Sequence, residues 1–394
     1  METERVNCPI CKGKFFNLIH SQRCNHLLDS SVYIEVSQCK DCEFVFNSIR
    51  PKWRAMLELY SSSTNASGQV FREISPSSYY PKLHRKRVNF FSSVCNIPAH
   101  VNILDVGCGN GDFLHALRGT LTSANLMGID PSKRAVLNCT NRGLKVSEGF
   151  LKESNHFDLN FDVISMISVL EHVYEPLDLL KRCYNNLNEN GLLFVEVPNA
   201  LKPEISLSGF FNLEHVLHFT PNSLKQILLS EGFPYFCLDT SEDHIIRLVA
   251  GKSKKIIKKV DHDLSSFADN NVRKILENYC LKQSEFTTDL KVKLKKLIDN
   301  WKKQKKTIAI YGTGVHTVML NSLIDLKQFT DYFIDGDVSK QGLKFLDKEI
   351  LPPEAIIELN IEAVLISSQR FAQEMKQRLR KVAGKELEVA TCYE

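Results

Sequence analysis

No stretch of this chain is apolar over the roughly 20 residues needed to cross a bilayer, so no membrane span is expected. An apolar signal core is missing too: Met1-Glu2-Thr3-Glu4-Arg5 runs straight into a cysteine motif. Net charge is small, +4 over 394 residues. The excess lies between Lys252 and Lys306, where basic residues outnumber acidic ones by about two to one. A local basic segment of that kind reads as solvated charge on helices, so no nucleic-acid partner is expected. Cysteine is not scarce, at 12, but its spacing excludes a secreted disulfide framework. Four cysteines form two pairs and the others are scattered in apolar contexts. These absences describe a cytoplasmic protein. Its 43% hydrophobic and 24% charged residues are those of a globular chain, long enough for two or three domains.

The paired cysteines are Cys8-Pro9-Ile10-Cys11 and Cys39-Lys40-Asp41-Cys42. Two thiolate pairs, each on a tight knuckle, can meet at one tetrahedral zinc. Cys24 and His26 lie between them as further candidates, but a four-cysteine site is simpler and closed. A closed site is structural and carries no chemistry. The insert reads as a small hairpin, with Val32 to Val36 as a strand. From Pro51 to Pro81 the chain is rich in Ser, Asn and Tyr, and residues 61–68 read as loop. Tyr60, Tyr79 and Tyr80 face either a pocket or solvent.

Chemistry concentrates further on. An apolar strand, Val101 to Val106, breaks into Asp105-Val106-Gly107-Cys108-Gly109-Asn110-Gly111, and a helix follows with Phe113, Leu114 and Leu117 on one face. Glycine lets backbone turn tightly and lets a ligand lie against it. The helix start beyond favours a carboxylate. The pattern is D-x-G-x-G-x-G, not the G-x-G-x-x-G of dinucleotide sites. Leu126 to Asp130 reads as a second strand. Asp130 ends it, followed by Pro131, about 20 residues past the glycines, where a carboxylate takes ribose hydroxyls. Strands at 144–146, 161–166 and 191–199 alternate with helices. That alternation predicts a Rossmann-like α/β sheet with ligands at the strands' carboxyl ends. Glu148-Gly149-Phe150-Leu151 and Glu171-His172 lie at such ends. Next comes Asn212-Leu213-Glu214-His215-Val216-Leu217-His218, before a helix capped by Thr220 with Pro221 at its first position. Glu214 and His215 read either as an acid/base pair or as a pair that closes the fold, with His218 a core histidine. Strands at 233–238 and 245–250 finish the sheet. Residues 252–306 read as a pair of amphipathic linker helices. The last part repeats a strand–glycine–helix unit at Gly312-Thr313-Gly314, with Asp335 ending its next strand and Thr317 where a dinucleotide fingerprint has its third glycine.

The order C-x-x-C…C-x-x-C, D-x-G-x-G-x-G, L-E-H, E-H-x-x-H-F and a G-T-G unit resembles the zinc-containing sugar C-methyltransferases, class I enzymes that use S-adenosylmethionine. The resemblance implies a cofactor site at Asp105, Gly107, Cys108, Gly109, Gly111, Asp130 and Pro131, with Phe150 and Leu151 around the adenine. It implies structural Zn2+ on Cys8, Cys11, Cys39 and Cys42. It also implies a nucleotide-linked sugar as small-molecule acceptor, held in part by the C-terminal unit. Glu214 and His215 match that family's active-site pair; the tyrosine it carries just before the pair is Asn212 here. Under this reading His215 is the base and Glu214 orients it, with Glu171 and His172 as further candidates. The domains expected are zinc-binding at 1–70, methyltransferase at 71–251, helical linker at 252–306 and a second Rossmann-like unit at 307–394. Two alternatives stay open: O-methylation of a polysaccharide or small molecule, and a methyltransferase fold kept only for binding or assembly. Oligomeric state is left open.

Overall fold

Alternating apolar residues build the first sheet. Val32, Ile34 and Val36 are buried at every second position, as the two-residue period of a strand requires. The computed structural model describes residues 1–27, 30–61, 79–98, 100–152, 157, 159–239, 241–255, 257–258, 271–383 and 386–393, without the side chains of 25–31, 59–61 and 79–80. The side chains of His26, Tyr60, Tyr79 and Tyr80, and loop residues 62–68, therefore lie outside the described part. Strands β1 (Thr3–Arg5), β2 (Phe16–Leu27), β3 (Ser30–Cys39) and β4 (Val45–Pro51) pair in the order β1-β4-β3-β2, all antiparallel. Helices α1 (Trp53–Ser61) and α2 (Tyr79–Val94) follow.

The second sheet holds β5 (Asn102–Val106), β6 (Asn125–Asp130), β7 (Lys145–Glu148), β8 (Phe161–Ile167) and β9 (Leu187–Pro198), all parallel. Helices α3 (Asp112–Arg118), α4 (Lys133–Asn141) and α5 (Pro176–Asn186) connect them. After β9 come the two-residue strand β10 (Leu217–His218), helix α6 (Pro221–Ser230), and strands β11 (Tyr235–Asp239) and β12 (Ile245–Gly251). The order is β11-β12-β9-β8-β5-β6-β7, with β12 antiparallel to both its neighbours. The chain winds from β5 towards β7 on one side and through β8 to β9 on the other. The switch point is the carboxyl end of β5, where a doubly wound sheet binds ligands. Thr220 caps α6 as expected: its hydroxyl accepts from Ser223 N, and Ser223 returns the bond in a capping box.

Sequence reasoning expected two linker helices before the last unit. A single helix, α7 (Val272–Lys303), stands there instead. Its buried residues Leu276, Tyr279, Leu290, Leu294 and Trp301 keep helical spacing, with half-buried Gln283 and Thr287 carrying the stripe between Tyr279 and Leu290, so one helix serves both ends. The third sheet contains β13 (Ile308–Tyr311), β14 (Tyr332–Ile334), β15 (Lys344–Phe345), β16 (Lys348–Leu351), β17 (Ala363–Ile366) and β18 (Glu388–Thr391), in the order β15-β16-β14-β13-β17-β18. All but β15 run parallel. The mixed α/β, Rossmann-like architecture follows the expectation from sequence.

The first two sheets are joined by main chain. β10 pairs antiparallel with β4, Leu217 opposite Phe46 and His218 opposite Val45. Asn47 fixes the joint from β4 and is 1% exposed. Its backbone N–H donates to Val216 O at 2.9 Å, and its Nδ2 donates to His215 O at 3.1 Å. Because that amide nitrogen donates to a carbonyl, Oδ1 is left to accept from His218 Nε2–H at 2.9 Å. Phe210 and Phe211 pack on the same imidazole. Burial holds His218 neutral and pushes its pKa down to about 3. An unfolded histidine titrates near 6.5. The stability this neutral form brings is therefore complete above about pH 6.5 and lost as pH falls. We expect His218→Ala to cost about 1–3 kcal/mol at pH 7.5, the penalty of leaving Asn47 unpaired. The variant should also lose stability less steeply on acidification, by up to about 1.4 kcal/mol per pH unit below 6.5. Urea melts at pH 7.5 and 5.5 measure both, and equal slopes would remove His218 from the acid response.

Candidate active site

β5 is buried and apolar to its end, and the chain must then reverse into α3. Gly107 and Gly109 make the turn at φ +68° and +52°. A Cβ on Gly107 would lie 2.6 Å from Val169 Cγ2, while one on Gly109 would meet nothing within 4 Å. Packing and backbone both demand glycine at 107. At 109 the backbone demands it, and the free space beside it suits a ligand. Gly111 differs: a Cβ there would meet Leu144 Cδ1 at 2.4 Å, and the residue lines neither cavity at the turn.

Two cavities meet at this turn, and Gly107, Gly109 and Ser168 line both. The smaller, about 490 Å³, is lined by Asp105, Cys108 and His215 among others. The larger, about 850 Å³, is lined by Asp130, Pro131, Phe150, Leu151, His172 and Glu214. The expected cofactor residues thus share one continuous groove, apart from Gly111. Ser168 sits where the cavities join and has φ +54°, a left-handed backbone for a residue with a side chain. Strain of that kind concentrates at functional sites, and nothing in the identity of a serine announces it.

Asp105 and Asp130 differ in their partners. Asp130 accepts from Gly109 N at 2.8 Å and from Ser132 N at 2.9 Å, tying the glycine turn to the start of α4. Burial raises its pKa, and the two N–H groups oppose that. Asp105 is 2% exposed and takes one hydroxyl, Ser165 Oγ at 2.7 Å. Burial pushes its carboxyl up to about 7. A cation beside it would bring that value down.

The structure brings Glu171, His172 and His215 together: one ligating atom of each lies within 4.8 Å of the others. His172 Nδ1 donates to Glu214 O at 3.0 Å, so its Nε2 carries the lone pair. That ring meets His215 edge-on, with centroids 4.9 Å apart, and its Nε2 is 3.9 Å from Glu171 Oε1. Burial pushes His172 down to about 4 and Glu171 up to about 8. Glu171 is fully buried, and among the described residues neither carboxyl oxygen has a hydrogen-bond partner. Burial thus favours the uncharged form of both groups. Asn212, at the position of the family's tyrosine, accepts from Glu214 N at 2.9 Å and His215 N at 2.7 Å and so shapes this loop. Glu214 and His215 point to different cavities, Glu214 to the larger and His215 to the smaller.

Sequence reasoning missed several residues of the smaller cavity. His84 and Arg87 reach it from one face of α2, and Arg370 comes from beyond β17. Arg87 forks onto Glu196, which also takes Arg247 Nε at 2.7 Å. A signal existed here: Glu196 and Arg247 are charges inside apolar strands, and such charges need partners. They stand directly opposite each other on β9 and β12. Burial would raise Glu196, but the two guanidinium groups hold it below the usual carboxylate range.

The four paired cysteines meet in space. Cys8 Sγ lies 3.6 Å from Cys42 Sγ and Cys11 Sγ 3.5 Å from Cys39 Sγ, with all four sulfurs within 4.8 Å of one another. Tetrahedral zinc at a Zn–S distance of about 2.3 Å needs sulfurs about 3.8 Å apart, so the donor set fits.

Two protein-family models match the chain. One, described as a methyltransferase domain, covers residues 77–237, and the other, described as a C-methyltransferase C-terminal domain, covers 246–390. A ubiquinone biosynthesis O-methyltransferase of Histophilus somni is 31% identical over 127 residues, 30% of this chain and 53% of that protein. Its counterpart in Marinobacter nauticus is 30% identical over 162 residues, 38% of this chain and 67% of that protein. The chain thus spans about half to two thirds of the length of the curated relatives it matches. A solved SAM-dependent methyltransferase from Archaeoglobus fulgidus is 17% identical, with 44% of this chain and 94% of that chain covered and a TM-score of 0.37. On the family-model matches and the curated relatives, read with the sheet and its glycine turn, the chain belongs to the class I S-adenosylmethionine-dependent methyltransferases.

Proposed function

We propose that this chain transfers the methyl group of S-adenosylmethionine to a carbon of a nucleotide-linked sugar, with His215 as the base. The observation that carries the reading is the meeting of two cavities at one glycine turn, one fitted for a nucleoside and one holding a histidine. Asp130 would take the ribose hydroxyls, with Pro131, Phe150 and Leu151 about the adenine. Asp105, buried with one hydroxyl partner, would take the ammonium. When bound, the cofactor supplies an electrophilic methyl group on a sulfonium. His215 would take a proton from the acceptor, next to a keto group for C-methylation. His172 stands behind it with a free lone pair, and Glu171 behind His172 with a proton to exchange. Arg370 would supply positive charge for an acceptor carrying phosphate, which supports a nucleotide-linked substrate held partly by the C-terminal unit. The C-methyltransferase description of the 246–390 match supports carbon as the target. The division at 1–70, 71–251, 252–306 and 307–394 and a zinc held by the four cysteines belong to the same reading.

A second reading, O-methylation, is favoured by the name of the curated relatives. There His215 would deprotonate a hydroxyl. Incubation with labelled cofactor and a panel of nucleotide-sugars, followed by mass spectrometry and NMR of the product, separates a C–CH3 from an O–CH3 group. No labelled product from any keto-sugar would turn the choice to the second reading.

Three outcomes are expected. His215→Ala should keep cofactor affinity within about a factor of three yet slow methyl transfer by about 10²–10⁴-fold in single-turnover assays. A folded variant working at the wild-type rate would remove His215 from proton transfer. Asp130→Ala should weaken cofactor binding by about 1–3 kcal/mol by calorimetry, since hydroxyls in a closed cleft would lose their partner. Unchanged affinity counts against that role. Elemental analysis of protein purified without chelator should find one zinc per chain. Cys39→Ser should lose the metal and unfold the N-terminal sheet, as followed by circular dichroism, because metal binding there is folding energy.

A further inference from the structure

The larger cavity is not built by the second sheet alone. Glu4, Arg50 and Trp53, all from the cysteine-bearing N-terminal segment, also line it. Trp53 opens α1 directly after β4. Its ring centroid lies 5.7 Å from that of Phe150 and 5.1 Å from that of Tyr174. Trp53 is 37% exposed and Phe150 is 45% exposed. Two large aromatic side chains therefore stand half open on the wall of one cleft rather than within a core.

Trp53 owes its place to anchors just upstream. Tyr174 Oη donates to Pro51 O at 2.6 Å, and the Arg50 guanidinium stacks 3.9 Å from the centre of the Tyr174 ring. Arg50 also pairs with Glu4 at 3.1 Å. The indole is thus held at the rim by its backbone, with part of its face left free. A planar base gains by resting on such a face. The surrounding wall carries what a nucleoside needs: Asp130 for hydroxyls, and Pro131 and Leu151 as apolar floor.

We propose that Trp53 is a cofactor-binding residue, and that with Phe150 it forms the aromatic rim of the adenosine end of the cleft. The N-terminal segment then completes the cofactor site as well as bearing the cysteines. This inference rests on the reading of the larger cavity as the cofactor cleft.

The test is titration of the full-length chain with S-adenosylhomocysteine, followed by calorimetry and by indole emission. The chain has two tryptophans, and Trp301 is fully buried in another part of the fold, with its Nε1 donating to Glu388. Wild-type emission should change on binding. Trp53→Phe should abolish that change while keeping affinity within about threefold, and Trp53→Ala should weaken binding by at least about tenfold. A packing role alone would lower the melting temperature of Trp53→Ala and leave affinity untouched. Wild-type affinity in Trp53→Ala, or an undiminished emission change in Trp53→Phe, would overturn the proposal. If Trp53→Ala does not fold, the comparison of wild type with Trp53→Phe decides. Failure of the wild-type chain to bind S-adenosylhomocysteine would instead refute the cofactor reading, and this inference with it.

Discussion

Asn47 makes the contacts on which the working geometry depends. Its backbone and side chain together hold Val216, His215 and His218, far from β4 in the chain. Besides that clamp the Glu214–His215 loop is tied by the Asn212 turn, by His172 Nδ1 donating to Glu214 O and by Val216 N donating to Glu171 O. On the proposed reading these ties matter for rate, since small displacements of a reacting group are expensive. The N-terminal sheet therefore serves as a scaffold for the loop.

The buried carboxyls fall into two sorts. Glu196 is surrounded by Arg87 and Arg247 and stays charged. Among the described residues neither Asp105 nor Glu171 has an ion-paired guanidinium, although Arg87 acts on Asp105 from a distance, and burial carries both towards the neutral range. An interior made only for stability would pair all three or replace them with apolar residues. These two are the ones beside the smaller cavity and the histidine pair. On the proposed reading, that contrast marks Asp105 as the carboxyl that meets the cofactor's ammonium, while Glu196 is already settled by its two guanidinium groups.

Much of this was legible in the residues. The D-x-G-x-G-x-G turn, Asp130 and the alternation of strands with helices led directly to the second sheet and its switch point. The paired cysteines led to four sulfurs that meet. Local signals sufficed there because each motif folds largely within itself. What sequence reasoning could not see is contact at long range. Nothing near Asn47 tells that its partners stand at 215–218, and nothing near Trp53 tells that it will lean on Phe150. The single helix at Val272–Lys303 was missed for the opposite reason: its lysines and apolar residues read equally well as two shorter pieces.

The strand borrowed from residues 217–218 also has a consequence for synthesis. Leu217 follows its partner Phe46 by 171 positions (217 − 46). At about 5–20 residues per second on the ribosome, β10 emerges roughly 10–35 s after β4. Through that interval the Val45–Phe46 edge has no partner from its own chain on that side. An open edge is a template for other strands. The four strands that end at Pro51 thus wait for their fifth until most of the second sheet has been made, and the half-made chain carries an open edge that the finished fold covers.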